Sequence, residues 1–337
     1  MQLAVNFKHK NKIIISSVLI FILAAAAGGF LLFYEMRPVN SLAGSSSLFQ
    51  VQPGQKFSAI VQGLRDQNFI RSQTAFKIAS LVTGTASYLK PGYYSLSQNM
   101  SSWQIIEILN KGLVQETTIT IPEGTDLEAI DGILSAANIT PKGALIKYNQ
   151  SLAADKQKSL EGYLFPDTYT FLIGSNIQEV VGKFSANFQE KAEPILAQDP
   201  KNSFKNLILA SILQKEANSF TDQQIIAGIL EKRIKEGMRL QLDATVCYAK
   251  ELVAKIPYNQ CEPLTKADLK INSPYNTYVN YGLPPGPISN PGTSSILAAL
   301  SPQSSPYWYY IGDPKTGRII FAKNYDEQIK NIAQYLR

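Results

Sequence analysis

The sequence predicts an α+β protein carried on a single N-terminal transmembrane helix. Three observations lead there: a charge-free run over residues 13–34, strands and helices mixed without a regular βαβ period, and a strand–turn–helix unit that occurs twice. The chain has 337 residues, 45% of them hydrophobic and 17% charged, which suffices for two domains with their own cores.

Residues 1–12 form a tail with Lys8, Lys10 and Lys12, and residues 13–34 read IIISSVLIFILAAAAGGFLLFY. About 20 apolar residues span a bilayer as a helix. Lysines before the run place the tail in the cytoplasm and the rest outside, giving a single-pass protein of the cytoplasmic (inner) membrane. The rival reading is a cleaved signal peptide, but the run is long and lacks a small-residue cleavage region. Residues 35–47, with RPVNSLAGSSS, read as a linker.

Residues 48–117 are expected to form a small α+β domain. FQVQPGQKFSAIVQGLRDQNFI gives a strand, a Pro-Gly turn and an amphipathic helix. A second strand precedes a helix started by Ser101 or Ser102 and stopped by Gly112. The first unit returns in ITIPEGTDLEAIDGILSAANI, with Gly54 matched by Gly124 and Asn68 by Asn138. This is either an internal duplication or the same local solution reached twice. Residues 118–337 are expected to form the larger mixed α+β domain. It should hold helices at 144–151, 176–197, 203–217 and 222–236, strands in YWYYIG and RIIFAK, and a last helix from about Asp326.

Charge and composition exclude several functions. The formal charge is +6, and without the three tail lysines 29 basic residues face 26 acidic ones, a balance too small to imply a nucleic-acid partner. His9, in the tail, is the only histidine. Outside the membrane this removes Ser-His-Asp and Cys-His nucleophiles and leaves a zinc site or other metal cofactor without support. Cys247 and Cys261 are spaced either to close a disulfide loop or to remain two thiols.

Chemistry therefore falls to carboxylates. On a helical wheel of LILASILQKEANSF, Glu216 shares a face with Leu209, Ile212 and Leu213, and Phe220 continues it. A carboxylate turned inwards either finds a partner or keeps its proton, as a general acid must. The plainer reading is a structural Glu paired with an Arg. Arg233 lies on the apolar stripe of the next helix, so it is expected to pair with Glu216, to pair with Asp243, or to hold substrate. LEGYLFPDTYTF sets Glu161 and Asp167 among aromatics, and SPYNTYVNYGLPPGPISNPG combines Tyr and Asn with a Pro-Gly run. Both suit sugars, and both also suit an ordinary core or a rigid loop.

LASILQKEA, LEGYLFPDTY, GMRLQLDATVCY, YNTY and GLPPGPISNPG, in this order behind one anchor, resemble the endolytic murein transglycosylases of the MltG (YceG-like) family. The resemblance runs from the anchor to the carboxyl end. It implies a LysM-like peptidoglycan-binding domain at 48–117 and a catalytic domain at 118–337, with Glu216 matching the catalytic glutamate. It also implies cleavage of the β-1,4 bond between N-acetylmuramic acid and N-acetylglucosamine, leaving a 1,6-anhydro end and terminating nascent strands beside wall synthases. Glu161, Asp167, Arg233, Gln241, Asp243, Tyr275 and Asn276 become candidates for binding or orienting the sugar. No cofactor is required. Gln214 and Gln328 stand where relatives commonly have an acidic residue and a histidine. The rival functions are a two-carboxylate hydrolase using Asp167 or Asp243, and a non-catalytic wall tether.

Overall fold

The structure, a computed structural model, describes residues 2–52, 54–84, 89–154 and 159–336; Pro53 of the expected Pro-Gly turn lies outside these. The chain divides into two compact units, one ending at Glu116 and one beginning at Thr117.

The first unit begins with helix α1 (Gln2–Glu35). Its stretch Ser16–Glu35 has a mean hydropathy of 2.3, long and apolar enough to cross a membrane. Strand β1 (Ser46–Val51), helices α2 (Phe57–Asp66) and α3 (Gln73–Val82), strand β2 (Gly92–Ser97) and helix α4 (Ser102–Lys111) follow. β1 and β2 pair antiparallel, with Ser46 opposite Ser97 and Val51 opposite Gly92. Alternation turns Phe49, Val51, Tyr94 and Leu96 inwards, where they meet Ile60, Leu64, Phe76, Ile105 and Leu109. The caps behave as expected. Ser101 and Gln104 form a capping box, and Gly112 closes α4 in the left-handed conformation at φ 62°. The sequence reading passed over α3, whose start is marked by Ser72 accepting from the Ala75 N–H.

The second unit opens with β3 (Glu116–Thr120), α5 (Leu127–Ala136), α6 (Ala144–Ala154), β4 (Thr168–Leu172) and α7 (Ile177–Lys191), the same order of elements as β1 to α4. Thr118 bonds Thr170 and Thr120 bonds Thr168 across β3 and β4, an antiparallel register. The likeness extends to the backbone: Gly54 and Gly124 have φ of 72° and 77°, Asn68 and Asn138 of 58° and 55°. In both copies the Asn ends the helix in the left-handed region that Asn tolerates, and the next amide returns to a leucine carbonyl, Phe69 to Leu64 and Ile139 to Leu134. The correspondence thus covers five elements, well beyond the expected strand–turn–helix.

The rest of the unit comprises α8 (Glu193–Leu196), α9 (Ser203–Glu216), α10 (Phe220–Lys235), α11 (Asp243–Ala254), α12 (Thr293–Leu300), the hairpin of β5 (Tyr309–Gly312) and β6 (Ile319–Ala322), and α13 (Tyr325–Tyr335). The expected helix 176–197 is two helices, because Pro194 has no N–H to continue the ladder and begins α8 instead. α11, α12 and β4 were not anticipated.

α9 is the centre of the larger core. Residues 207–213 are all buried, so it is a helix wrapped on every side rather than an amphipathic one. Phe220 does not continue its face. Ala217 turns extended at φ −153°, and Phe220 opens α10, 41% exposed, behind the cap Ser219.

Candidate active site

Glu216 is the last residue of α9 and is half-buried. Its Oε2 accepts from the Tyr310 hydroxyl at 2.9 Å, and its Oε1 accepts no hydrogen bond from the described residues. Burial pushes the carboxyl up to about 7. The negative charges of Asp243 and Glu262 push the same way, while the Tyr310 bond and the Arg233 charge oppose them. The end of a helix adds to the effect, since its carbonyls disfavour a second negative charge there. The Tyr310 phenol is driven well above its ordinary value, chiefly by burial and by Glu216, and so stays a donor.

The ends of α9 and α10 are held firmly. Gln223 donates to the Ala217 carbonyl at 2.7 Å and to Ser295 Oγ at 2.8 Å. Gln214 accepts from Gly292 N at 3.0 Å and Ser295 Oγ at 2.8 Å at the start of α12.

Arg233, 7% exposed, spends its donors on backbone carbonyls rather than on Glu216 or Asp243. It donates to the carbonyls of Trp308 at 2.9 Å and Leu240 at 2.7 Å and lies over the Tyr309 ring. No ion pair joins it to Glu216 or Asp243 among the described residues. It therefore ties β5, which carries Tyr310, to the turn before α11, and its charge reaches Glu216 through space.

Asp243 opens α11, exposed, and accepts from the Tyr278 hydroxyl at 2.6 Å. Thr277 fixes this turn: its carbonyl and hydroxyl accept from Gln241 N and Leu242 N. Gln241 is exposed in the left-handed region at φ 54°. Asn276 is fully buried, donating to Leu269 and Ile271 carbonyls and accepting from Tyr278 N, so it supports the loop that presents Tyr278. Tyr275 is half-buried with its ring 4.9 Å from that of Tyr248.

Two candidates lie elsewhere in the unit. Glu161 is 2% exposed; its oxygens accept from Leu127 N at 3.1 Å, Tyr248 hydroxyl at 3.2 Å and Asn290 Nδ2 at 3.1 Å. It joins α5, α11 and the loop before α12, and burial pushes it up to about 8. Such an enclosed group has no face to offer a sugar. Asp167 pairs with Lys191 and Asn187, which hold it down at about 2.

The sequence reading missed Tyr310, Tyr278, Tyr258 and Glu262. Tyr310 was seen only as part of a strand, and no local pattern marks it, for its partner is 94 positions away. Gln328, 8% exposed, donates to the Tyr310 carbonyl at 3.1 Å, bracing β5 from α13.

Glu216, raised by burial, bonded by Tyr310 and with its other oxygen unbonded by the described residues, is the candidate acid–base group on this mixed α+β scaffold. The chain belongs to the YceG-like family, whose model matches residues 49–334. It is 30% identical to an endolytic murein transglycosylase of Bacillus subtilis (strain 168), over 92% of this chain and 91% of that protein. It is 26% identical to an endolytic murein transglycosylase of Streptococcus pneumoniae over 96% of this chain, which spans 65% of that longer relative. A crystal structure of a YceG-like protein from Listeria monocytogenes superposes with a TM-score of 0.50 at 32% identity, over 85% of this chain and 99% of that one.

Proposed function

We propose that the protein is a lytic transglycosylase that cuts peptidoglycan strands within their length, with Glu216 as the one acid–base group. What supports this most is a carboxyl lifted to about 7 with one oxygen held by Tyr310 and the other left for a proton. The names borne by the relatives agree with it.

Protonated Glu216 gives its proton to the glycosidic oxygen, O4 of N-acetylglucosamine, as the bond to C1 of N-acetylmuramic acid breaks. The muramic O6 attacks C1, and Glu216, now a carboxylate, takes the O6 proton. The ring closes to a 1,6-anhydro sugar and the carboxyl is restored. Tyr310 stabilises the carboxylate between the two transfers. An internal nucleophile already held near C1 replaces the water and the second carboxylate of a hydrolase. Arg233, Gln241, Asp243, Tyr275 and Asn276 build or support the groove wall in this scheme.

In the same reading the β1–β2 pair with α2 and α3 is a LysM-like module at 48–117, and 118–337 is the catalytic domain. The tail is cytoplasmic, and the enzyme acts outside the inner membrane on nascent strands beside wall synthases. The bond between Cys247 and Cys261 suits an oxidising compartment.

The test is digestion of purified sacculi by the full chain in detergent, with products analysed by mass spectrometry. Anhydro-muropeptides should appear and should fall 10²–10⁴-fold, roughly the worth of a general acid, with Glu216→Gln. Undiminished anhydro products from that variant sink the proposal. A hydrolase is the second reading, favoured by the field of Asp243 at Glu216; it yields reducing ends instead.

A further inference from the structure

Beside Glu216, but not lined by it, the larger unit holds a cavity of about 540 Å3. Its walls come from the start of α5, from Lys215 at the end of α9, from Glu251 of α11 and from Tyr258 in the disulfide-closed segment. Tyr258 is the partition: it lines the cavity and also lies in the field of Glu216.

The lining is charged in both senses. Asp126 and Glu251 are 3% and 5% exposed, and each gives one oxygen to a backbone amide, Ala129 N at 2.9 Å and Tyr258 N at 3.0 Å. Neither second oxygen has a hydrogen-bond donor among the described residues. Neither oxygen is sealed off by the protein, so both are open to whatever enters the cavity. Lys215 is the complement: its ammonium lies 3.6 Å from the centre of the Tyr258 ring and makes no hydrogen bond or ion pair with the described residues. Lys142 and Lys255 stand exposed on the rim.

A neutral sugar asks for ring faces and amides. The only aromatic ring in this lining is that of Tyr258, and Lys215 already covers a face of it. A ligand with an ammonium and carboxylates answers both signs of charge in this lining. Murein strands carry one such ligand, the short peptide on each muramic acid, which bears acidic side groups and a diamino acid.

We propose that this cavity is a stem-peptide subsite, in which Asp126 and Glu251 receive the ammonium of the diamino residue and Lys215 a carboxylate. The inference rests on the murein-cleaving reading above and adds to it a preference for strands that still bear their peptides.

The experiment has a cleavage arm and a binding arm, both on the full chain in detergent. In the first, kcat/KM is compared on uncrosslinked strands with peptides and on the same strands stripped by an amidase. The expected preference for peptide-bearing strands shrinks about tenfold in Asp126→Asn/Glu251→Gln, substitutions that keep the oxygens accepting from Ala129 and Tyr258. In the second arm, a muramyl tetrapeptide with a diamino acid and a peptide-free N-acetylglucosamine tetramer are titrated calorimetrically into the Glu216→Gln chain. The double variant should weaken only the muramyl peptide, about tenfold, and so should Lys142→Glu, which touches no buried group. Equal weakening of both probes, unchanged muramyl-peptide binding, or a wild-type chain indifferent to the peptides overturns the proposal. Binding does not depend on turnover, so failure of the transglycosylase reading shows separately, as absent cleavage.

Discussion

In the proposed reaction Glu216 is the acid, and Tyr310 tunes it through a hydrogen bond. The carboxyl is lifted by burial and by two neighbouring negative charges, and the phenol limits the rise by bonding the ionised form. Removing the phenol in Tyr310→Phe should therefore raise the Glu216 pKa further. A hydrogen bond to a charged group is worth ~1.5–3 kcal/mol, so the alkaline limb of the pH–rate profile should move up by roughly a unit or more. In the parent enzyme the rate should fall as pH rises through about 7, since the acid must hold its proton to give it. A profile that Tyr310→Phe leaves in place would mean the bond does not tune Glu216. At this scale the sequence was informative about which residue to suspect and silent about its setting. The helical wheel turned Glu216 inwards, yet seven consecutive buried positions show that α9 has no outer face for a wheel to detect. Arg233 was rightly seen to point inwards, but its partners are carbonyls of Trp308 and Leu240, which no side-chain pairing rule selects.

Elements carry the site through close approaches. α10 meets the chain after α12 at Gly228, where an added Cβ would stand 2.1 Å from the Gln303 carbonyl oxygen. Gly228→Ala must part these backbones. Overpacking of this kind costs ~1–3 kcal/mol, to be read as a lower urea midpoint with an unchanged m-value. α11 is tied through Cys247 to Cys261, 14 positions on, and the tie closes the segment that holds Tyr258. For a loop of this length, replacing both cysteines by serine should lower stability by about 3 kcal/mol. Equal unfolding midpoints of parent and variant would count against that. Caps were the legible part of the elements: Ser101 and Gly112 mark the ends of α4 because a cap is settled within a few residues. α11 and α12 were missed because their burial comes from α9 and from the loops around them, not from an apolar rhythm of their own.

The larger unit buries three carboxyls of raised pKa: Glu161 at about 8, and Glu216 and Glu251 at about 7. Ordinary glutamates in an unfolded chain titrate near ~4.3, so between that value and about 8 the folded protein holds more protons. Stability is then fully present below the unfolded value and is lost as pH rises through the folded ones. For enclosed Glu161 the effect is on the order of a few kcal/mol. Denaturant unfolding from pH 5 to 8 should show a steady decline that Glu161→Gln flattens, and a decline of equal slope in that variant would refute it. The repeated β–α–α–β–α order also belongs to this scale. Its local marks, Gly54 with Gly124 and Asn68 with Asn138, were visible in the sequence, whereas the strand pairings that complete each copy were not.

The sequence alone determined what depends on composition and near neighbours: one membrane-length apolar run, a chemistry without histidine, the mixing of helix and strand, and the capped and turned boundaries. Tertiary structure alone decided the setting of Glu216, because its raised pKa comes from loss of water and from Asp243 at the start of α11, moderated by Tyr310 on β5. Such effects act through space, and nothing in the order of residues along the chain encodes their distances.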